Sequence, residues 1–125
     1  MLKSNNSKFL YPVMQFVVVI FILTSCNQTK FNKNKWSEKS DPAFPPSYRV
    51  QMLNDLITNS KLVGMDYSQL IGFIGVPDNI DKNFIIYEIS VVYNGDIDPI
   101  YTKKLVFEYS KDSLIKSLRI VEWQK

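Results

Sequence analysis

The spacing of apolar residues changes character several times along the chain. Residues 16–23 are eight consecutive apolar positions, loosely extended back to Phe9 but interrupted by Pro12 and Gln15. A helix needs about 17–25 such residues to span a bilayer, so this run is too short for a membrane span. Residues 27–35 are polar and basic with no period, which reads as a flexible tether. Asp41-Pro42-Ala43-Phe44-Pro45-Pro46 continues it with extended, polyproline-like backbone. Trp36 and Phe44 stand in this segment; packing back onto a domain is the expectation, and a partner contact is the sharper alternative. The tether lysines are read as solvated, with anionic headgroups as the sharper alternative.

From Ser47 the period becomes helical. Val50, Leu53, Leu56 and Ile57 fall three and four apart and predict a helix over residues 48–58, with Ser47 as N-cap and Arg49, Asn54, Asp55 and Thr58 mostly off the stripe. A second, shorter helix is bounded on both sides. Asp66 and Gln69 form a capping-box pattern, Leu70, Ile71 and Ile74 make the buried face, and Gly75 with Pro77 supplies the stop. Gly72 inside this helix is read as a close-packing position.

Beyond a polar connection at residues 78–83 the period drops to two. Residues 84–93 alternate Ile85, Tyr87, Ile89, Val91 and Tyr93, the expected core side, with Phe84, Ile86, Glu88, Ser90 and Val92. The turn-rich loop 94–99 follows. Residues 102–109 place Leu105, Phe107 and Tyr109 inward. Residues 115–123 set Leu118 and Ile120 against Ser117, Arg119, Val121 and Trp123. Short connections predict an antiparallel meander. The expected fold class is α+β, two N-terminal helices packed on a three-stranded antiparallel sheet in two layers.

Composition narrows the chemistry. The 125 residues contain no histidine and one cysteine, Cys26. The side chain best suited to proton transfer near neutral pH is therefore missing, and neither an intramolecular disulfide nor a thiolate zinc site is available. Taking Lys3 and Lys8 out of the 15 bases leaves 13 against 12 acids, with no electrostatic footprint for nucleic acid.

The N-terminus explains the lone cysteine. Lys3 and Lys8 precede the apolar run, no acid occurs before Glu38, and small residues follow: the shape of a secretory signal. Leu23-Thr24-Ser25-Cys26 then resembles the lipobox of bacterial lipoproteins. That resemblance implies cleavage before Cys26 and acylation of its thiol. It divides the chain into a signal peptide (1–25), a lipidated cysteine with flexible tether (26–46) and a globular domain (47–125). Two or more acyl chains would hold the protein stably on a membrane. The alternative is an uncleaved N-terminal anchor. Neutral Asn27 after the cysteine implies, by the enterobacterial sorting pattern, an outer-membrane address facing the periplasm.

A second resemblance lies at Gly64-Met65-Asp66, the helix opened by Gln69, and Gly75-Val76-Pro77. It is similar to the signature of the BamE (small protein A) group of outer-membrane assembly lipoproteins. The match departs at Gln69, where the group has Glu, and at Ile74, where it has Leu; both keep the physical role. It implies the helix-pair-and-sheet fold and a role in outer-membrane protein assembly.

Other candidate sites read as structural. Asp96 with Asp98, and Asp78 with Asp81, lack the oxygen count of a calcium loop and are expected to be solvated acids. The glycines lack a following Lys-Ser/Thr and make no phosphate cradle. Lys103, Lys104, Lys111 and Arg119 are expected on a solvated strand face. Tyr87, Tyr93, Phe107, Tyr109 and Trp123 are expected mainly in the core, with a surface cluster as the alternative. No catalytic residue, metal or cofactor is assigned. The expected function is a lipid-anchored, non-enzymatic envelope lipoprotein that binds or scaffolds another envelope protein. The alternatives are a small-ligand or enzyme-inhibitor-type module, marked by a closed apolar pocket or by the loop at 94–99, and a hydrolase using only carboxylates.

Overall fold

The computed structural model describes residues 29–125. The expectations for the signal peptide, the lipobox Leu23, Thr24 and Ser25, and the lipidation site Cys26 lie outside the described residues.

The described chain is α+β. Its helices are α1 (Lys33–Trp36), α2 (Arg49–Asn59) and α3 (Tyr67–Ile74). Its strands are β1 (Asn79–Asp81), β2 (Phe84–Tyr93), β3 (Pro99–Tyr109) and β4 (Ile115–Gln124), an antiparallel meander in the order β1-β2-β3-β4. Helices cover one face. Leu53 and Leu56 of α2, Leu70 and Ile74 of α3, and Trp36 of α1 pack with Ile85, Tyr87, Ile89, Leu105 and Phe107 of the sheet.

Two elements exceed the expected pair of helices and three strands. β1 comes from the segment read as a polar connection. Asn79-Ile80-Asp81 has no strand pattern of its own. It becomes a strand because Lys82 and Asn83 close a two-residue turn, with Asp81 paired to Phe84 and Lys82 at φ 56°. At its other end Asp78 N–H donates to the Ile86 carbonyl at 3.0 Å. α1 comes from the segment read as tether. Asn32 caps it by accepting the Lys35 N–H at 3.1 Å, and the helix turns Trp36 fully into the core. The packed domain therefore begins near Phe31, not at Ser47.

The first expected helix is displaced by one residue and rotated. Its N-cap is Tyr48, which makes no side-chain cap bond, so the Ser47 cap is corrected. The buried stripe is Arg49, Met52, Leu53 and Leu56, while Val50 is 54% exposed. A charged residue replaces valine on the inner face because partners await it there.

The α3 boundaries follow the sequence closely. Asp66 Oδ1 accepts the Gln69 N–H at 2.8 Å, and Gln69 Oε1 accepts the Asp66 N–H at 3.0 Å, a complete capping box. Asp66→Ala is expected to cost about 1 kcal/mol of stability, measurable by chemical denaturation. Gly75 ends the helix at φ 115°, ψ −176°, a conformation that L side chains rarely adopt. A Cβ there would also stand 3.0 Å from Ser37 Oγ. Gly72 is different. A Cβ on it meets nothing within 4 Å, so the close-packing reading is corrected. Gly72→Ala is expected to raise stability by about 0.4–1 kcal/mol in the same assay, because alanine restricts the unfolded chain and favours helix.

β2 changes face part-way along. Glu88 pairs with Lys104 but Ser90 pairs with Lys103, so Ile89 is the extra residue of a bulge. Beyond it Val91 lies opposite Thr102, on the face away from the helices. The alternation expected to run inward through Val91 and Tyr93 stops at Ile89. Leu118 lies opposite Phe107 and packs against the core, which settles the inner face of β4.

Candidate interaction surface and the buried pair that holds it

Arg49 is 2% exposed and has partners from three directions. Its Nε donates to the Trp36 carbonyl at 2.9 Å, and Nη1 donates to the Glu88 carbonyl at 2.8 Å. Nη1 also forms a close ion pair with Asp78 Oδ2. The guanidinium carbon lies 5.1 Å from the Trp36 ring centroid and 5.8 Å from that of Tyr87. Asp78 Oδ2 in turn accepts the Glu88 N–H at 2.7 Å. One ion pair thus joins α1, α2, the residue before β1, and β2. Arg49 and Asp78, expected off the stripe and in solvent, are corrected on this point. The only sequence signal available was an arginine one position before a hydrophobic stripe and an acid directly after the helix-stopping proline.

Tyr87 completes this interior. Its hydroxyl donates to the Gly75 carbonyl at 2.7 Å. Burial pushes its phenol above the ordinary tyrosine value, against the opposing effect of Arg49. Its role is therefore that of a neutral hydrogen-bond donor. Trp36 stacks edge-on against Tyr87, with ring centroids 6.2 Å apart. Phe31 stacks edge-on against Trp36 at 5.7 Å and face to face with Phe73 at 5.4 Å. The Phe31 N–H donates to Asp55 Oδ2 at 2.7 Å.

That bond, with the Asn59 side chain, holds the Asp55 carboxyl below its ordinary value of 3.8. A lowered folded-state pKa means the ionised form is favoured on folding. Its contribution is present above the unfolded value and is lost as pH falls through the folded one. Docking of the Phe31 segment is therefore expected to loosen below about pH 4. Hydrogen exchange of the Phe31 amide, or its chemical shift through an acid titration, checks this.

The remaining residues of the family-like motif are structural. Gly64, at φ 98°, donates its N–H to the Ile115 carbonyl at 2.8 Å, and Ile115 N–H donates to the Met65 carbonyl at 2.8 Å. Asp66 forms a bridge with Leu114. Gly64, Met65 and Asp66 thus cover the start of β4's outer edge. From Lys116 onward that edge has no backbone partner among the described residues, and Lys116, Arg119 and Glu122 place charges along it. Gln69 belongs to the capping box, and Pro77 leads to Asp78.

The expected basic patch does not assemble on one face. Lys103 lies 3.7 Å from Glu122 on the helix-side face, whereas Lys104 is opposite Glu88 on the other. Arg119 sits over the Phe84 ring at 5.4 Å, and Lys111 is at the β3–β4 turn. Asp96 and Asp98 are exposed loop acids, and the described residues contain no metal-ligand group of three or more His, Cys, Asp or Glu. The aromatic set also divides. Tyr87 and Phe107 are core, Tyr109 packs edge-on against Tyr67 at 5.6 Å, and Tyr93 meets Phe44 at 5.8 Å. Trp123 is on the outer face and 48% exposed.

The outer face of the sheet has two halves. Near the β1–β2 and β3–β4 turns, Glu108 is reached by Asn83 at 3.3 Å and Lys116 at 3.3 Å, and Arg119 lies over the Phe84 ring, so that charged and polar side chains partly roof this half. Val106 is only 7% exposed although no helix lies over it. Toward the β2–β3 loop the roof ends. Val91, Thr102 and Trp123 form one row, with Val121 38% exposed beside them. On the same end of the sheet Phe44 and Tyr93 are each more than two-fifths exposed, as is Val92, which lies opposite Tyr101 on the other face, and Ile97 at the loop tip is 95% exposed.

The clefts present are open. One of about 540 Å³ lies between Asp66, Tyr67, Ser68, Tyr109, Asp112 and Ser113. No described helix is long and apolar enough to cross a membrane. No protein-family model, curated protein or solved structure matches the chain.

Proposed function

We propose that this is a lipid-anchored, non-enzymatic envelope protein that binds another envelope protein through the β2–β3 end of its sheet. The observation that carries the reading is the exposed apolar end at which Trp123 and Val121 lie on the outer face of the sheet, with Tyr93 and Ile97 beside the β2–β3 loop. Exposed apolar surface of this kind marks protein contacts. The lipobox-like Leu23-Thr24-Ser25-Cys26 supports the anchor, and Asn27 supports an outer-membrane address facing the periplasm. The absence of histidine from the sequence, with its sole cysteine assigned to lipid, supports a binding role over catalysis. Resemblance of the motif at Gly64-Met65-Asp66 and Gly75-Val76-Pro77 to the BamE group supports outer-membrane protein assembly as the setting. A helix layer on an antiparallel sheet is in keeping with it.

A photo-crosslinking residue at Trp123, in intact cells, tests the reading. A discrete protein adduct from Trp123 and none from Ser117, on the roofed half of the same face, is the expected result. No adduct from either position on the membrane-bound protein counts against it. Ile97 favours a second reading, an inhibitor-type loop that inserts into a partner's cleft. In that case a crosslinker at Ile97 captures the partner and one at Trp123 does not.

A further inference from the structure

Residues 26–46 read in sequence as a long tether, which at full extension would reach about 70 Å. The fold removes most of that reach. Phe31 is already docked, through its N–H on Asp55, its stack on Phe73 and its edge contact with Trp36. Only five residue steps separate Phe31 from Cys26. Their extended length is at most about 18 Å. A domain of this size has a radius of gyration of about 13 Å. The link is therefore shorter than the domain is wide, and the domain cannot turn over freely beneath its anchor.

The face that the link leaves from is defined by the aromatic ladder. Tyr87 belongs to the sheet, Trp36 lies over it, and Phe31 lies beyond Trp36. Phe31 thus sits against the helix layer, touching Trp36 of α1, Asp55 of α2 and Phe73 of α3. The same surface is basic. Lys30, Lys33 and Lys35 lie within residues 29–37 with no acid among them, Glu38 follows, Asp55 is the nearby acid on α2, and Lys39 turns instead to Asp78 at 3.9 Å. Lys33 is held with its Nζ 2.8 Å from the Gly72 carbonyl, and Lys35 lies 3.4 Å from Glu38 and over the Tyr48 ring.

We infer that the helix-layer surface around residues 30–39 rests against an anionic lipid bilayer, with the open face of the sheet turned away from it. The inference rests on lipidation of Cys26. The short link brings the lysines to headgroup depth, where each strengthens contact with an anionic surface about fivefold. The same orientation leaves Trp123 and its neighbours facing away from the membrane.

The full-length lipoprotein, extracted from membranes and reconstituted, provides the test. Acylated Cys26 does not react with maleimide, so Asn34→Cys and Ser117→Cys each accept a single fluorophore. Vesicles containing about one-third phosphatidylglycerol and a headgroup-attached quencher report depth. The label at position 34 is expected to be quenched several times more strongly than the label at 117. That contrast should shrink in phosphatidylcholine vesicles and in roughly 1 M salt, where screening shortens to about 3 Å. Equal quenching at the two positions, or stronger quenching at 117, overturns the orientation. A contrast unaffected by lipid charge and salt overturns the anionic contact. If the parent chain takes maleimide at Cys26, it is the lipidation reading that fails, whatever the quenching shows.

Discussion

Asp78→Ala is expected to destabilise the domain by about 3–5 kcal/mol, the range for removing one partner of a buried ion pair. The cost arises from what is left behind. Arg49 keeps its bonds to the Trp36 and Glu88 carbonyls but loses its only described carboxylate partner while 2% exposed. The Glu88 N–H loses its acceptor in the same substitution. Against a total stability of about 5–15 kcal/mol for a domain, such a loss leaves little margin. Arg49→Met is expected to cost less, because Asp78 keeps the Glu88 N–H, lies 3.9 Å from Lys39 and has a partly exposed side chain. Asp78→Ala with Arg49→Met is expected to cost clearly less than the two single changes together. Urea denaturation of the four chains forms the double-mutant cycle that measures this coupling. Strict additivity would show that the pair is not the knot described.

The second large effect concerns the segment before α2. Trp36→Ala is expected to cost about 3–5 kcal/mol, the range for truncating a buried tryptophan. Its ring touches Phe31, Tyr87 and the Arg49 guanidinium, so three contacts weaken together. Trp36→Phe is expected to cost less. It keeps an aromatic ring, and the buried Trp36 Nε1–H that it removes meets no acceptor among the described residues. A chain starting at Ser47 lacks both this ring and the carbonyl that receives Arg49 Nε. It is expected to show a broad, non-cooperative thermal transition, whereas a chain starting at residue 29 unfolds sharply. Calorimetry of the two truncated chains distinguishes them.

Local rules were enough wherever neighbours in sequence are also partners in space. The α3 helix shows this best. Asp66 and Gln69 are three residues apart and cap each other, and Gly75 stops the helix at a backbone angle suited to glycine. The strand alternation of Leu105 and Phe107 likewise follows from a period that one buried face imposes.

Other features needed the assembled chain because their partners are far apart in sequence. Arg49 and Asp78 are separated by 29 residues, and each alone has the appearance of a solvated charge. Phe31 meets Asp55 across 24 residues, which makes a tether part of the domain. Asn79–Asp81 pairs as β1 only because β2 is beside it. The bulge at Ile89 redirects Val91 outward, and no alternation of side chains announces it. By itself, then, the sequence determined both ends of α3 and the alternation of Leu105 and Phe107 in β3, set by short-range sterics, hydrogen bonding and hydrophobic spacing. Tertiary structure decided where the domain begins, which charges are buried and which end of the sheet is left apolar. Burial is a property of what packs around a residue, and that is known only when distant segments meet.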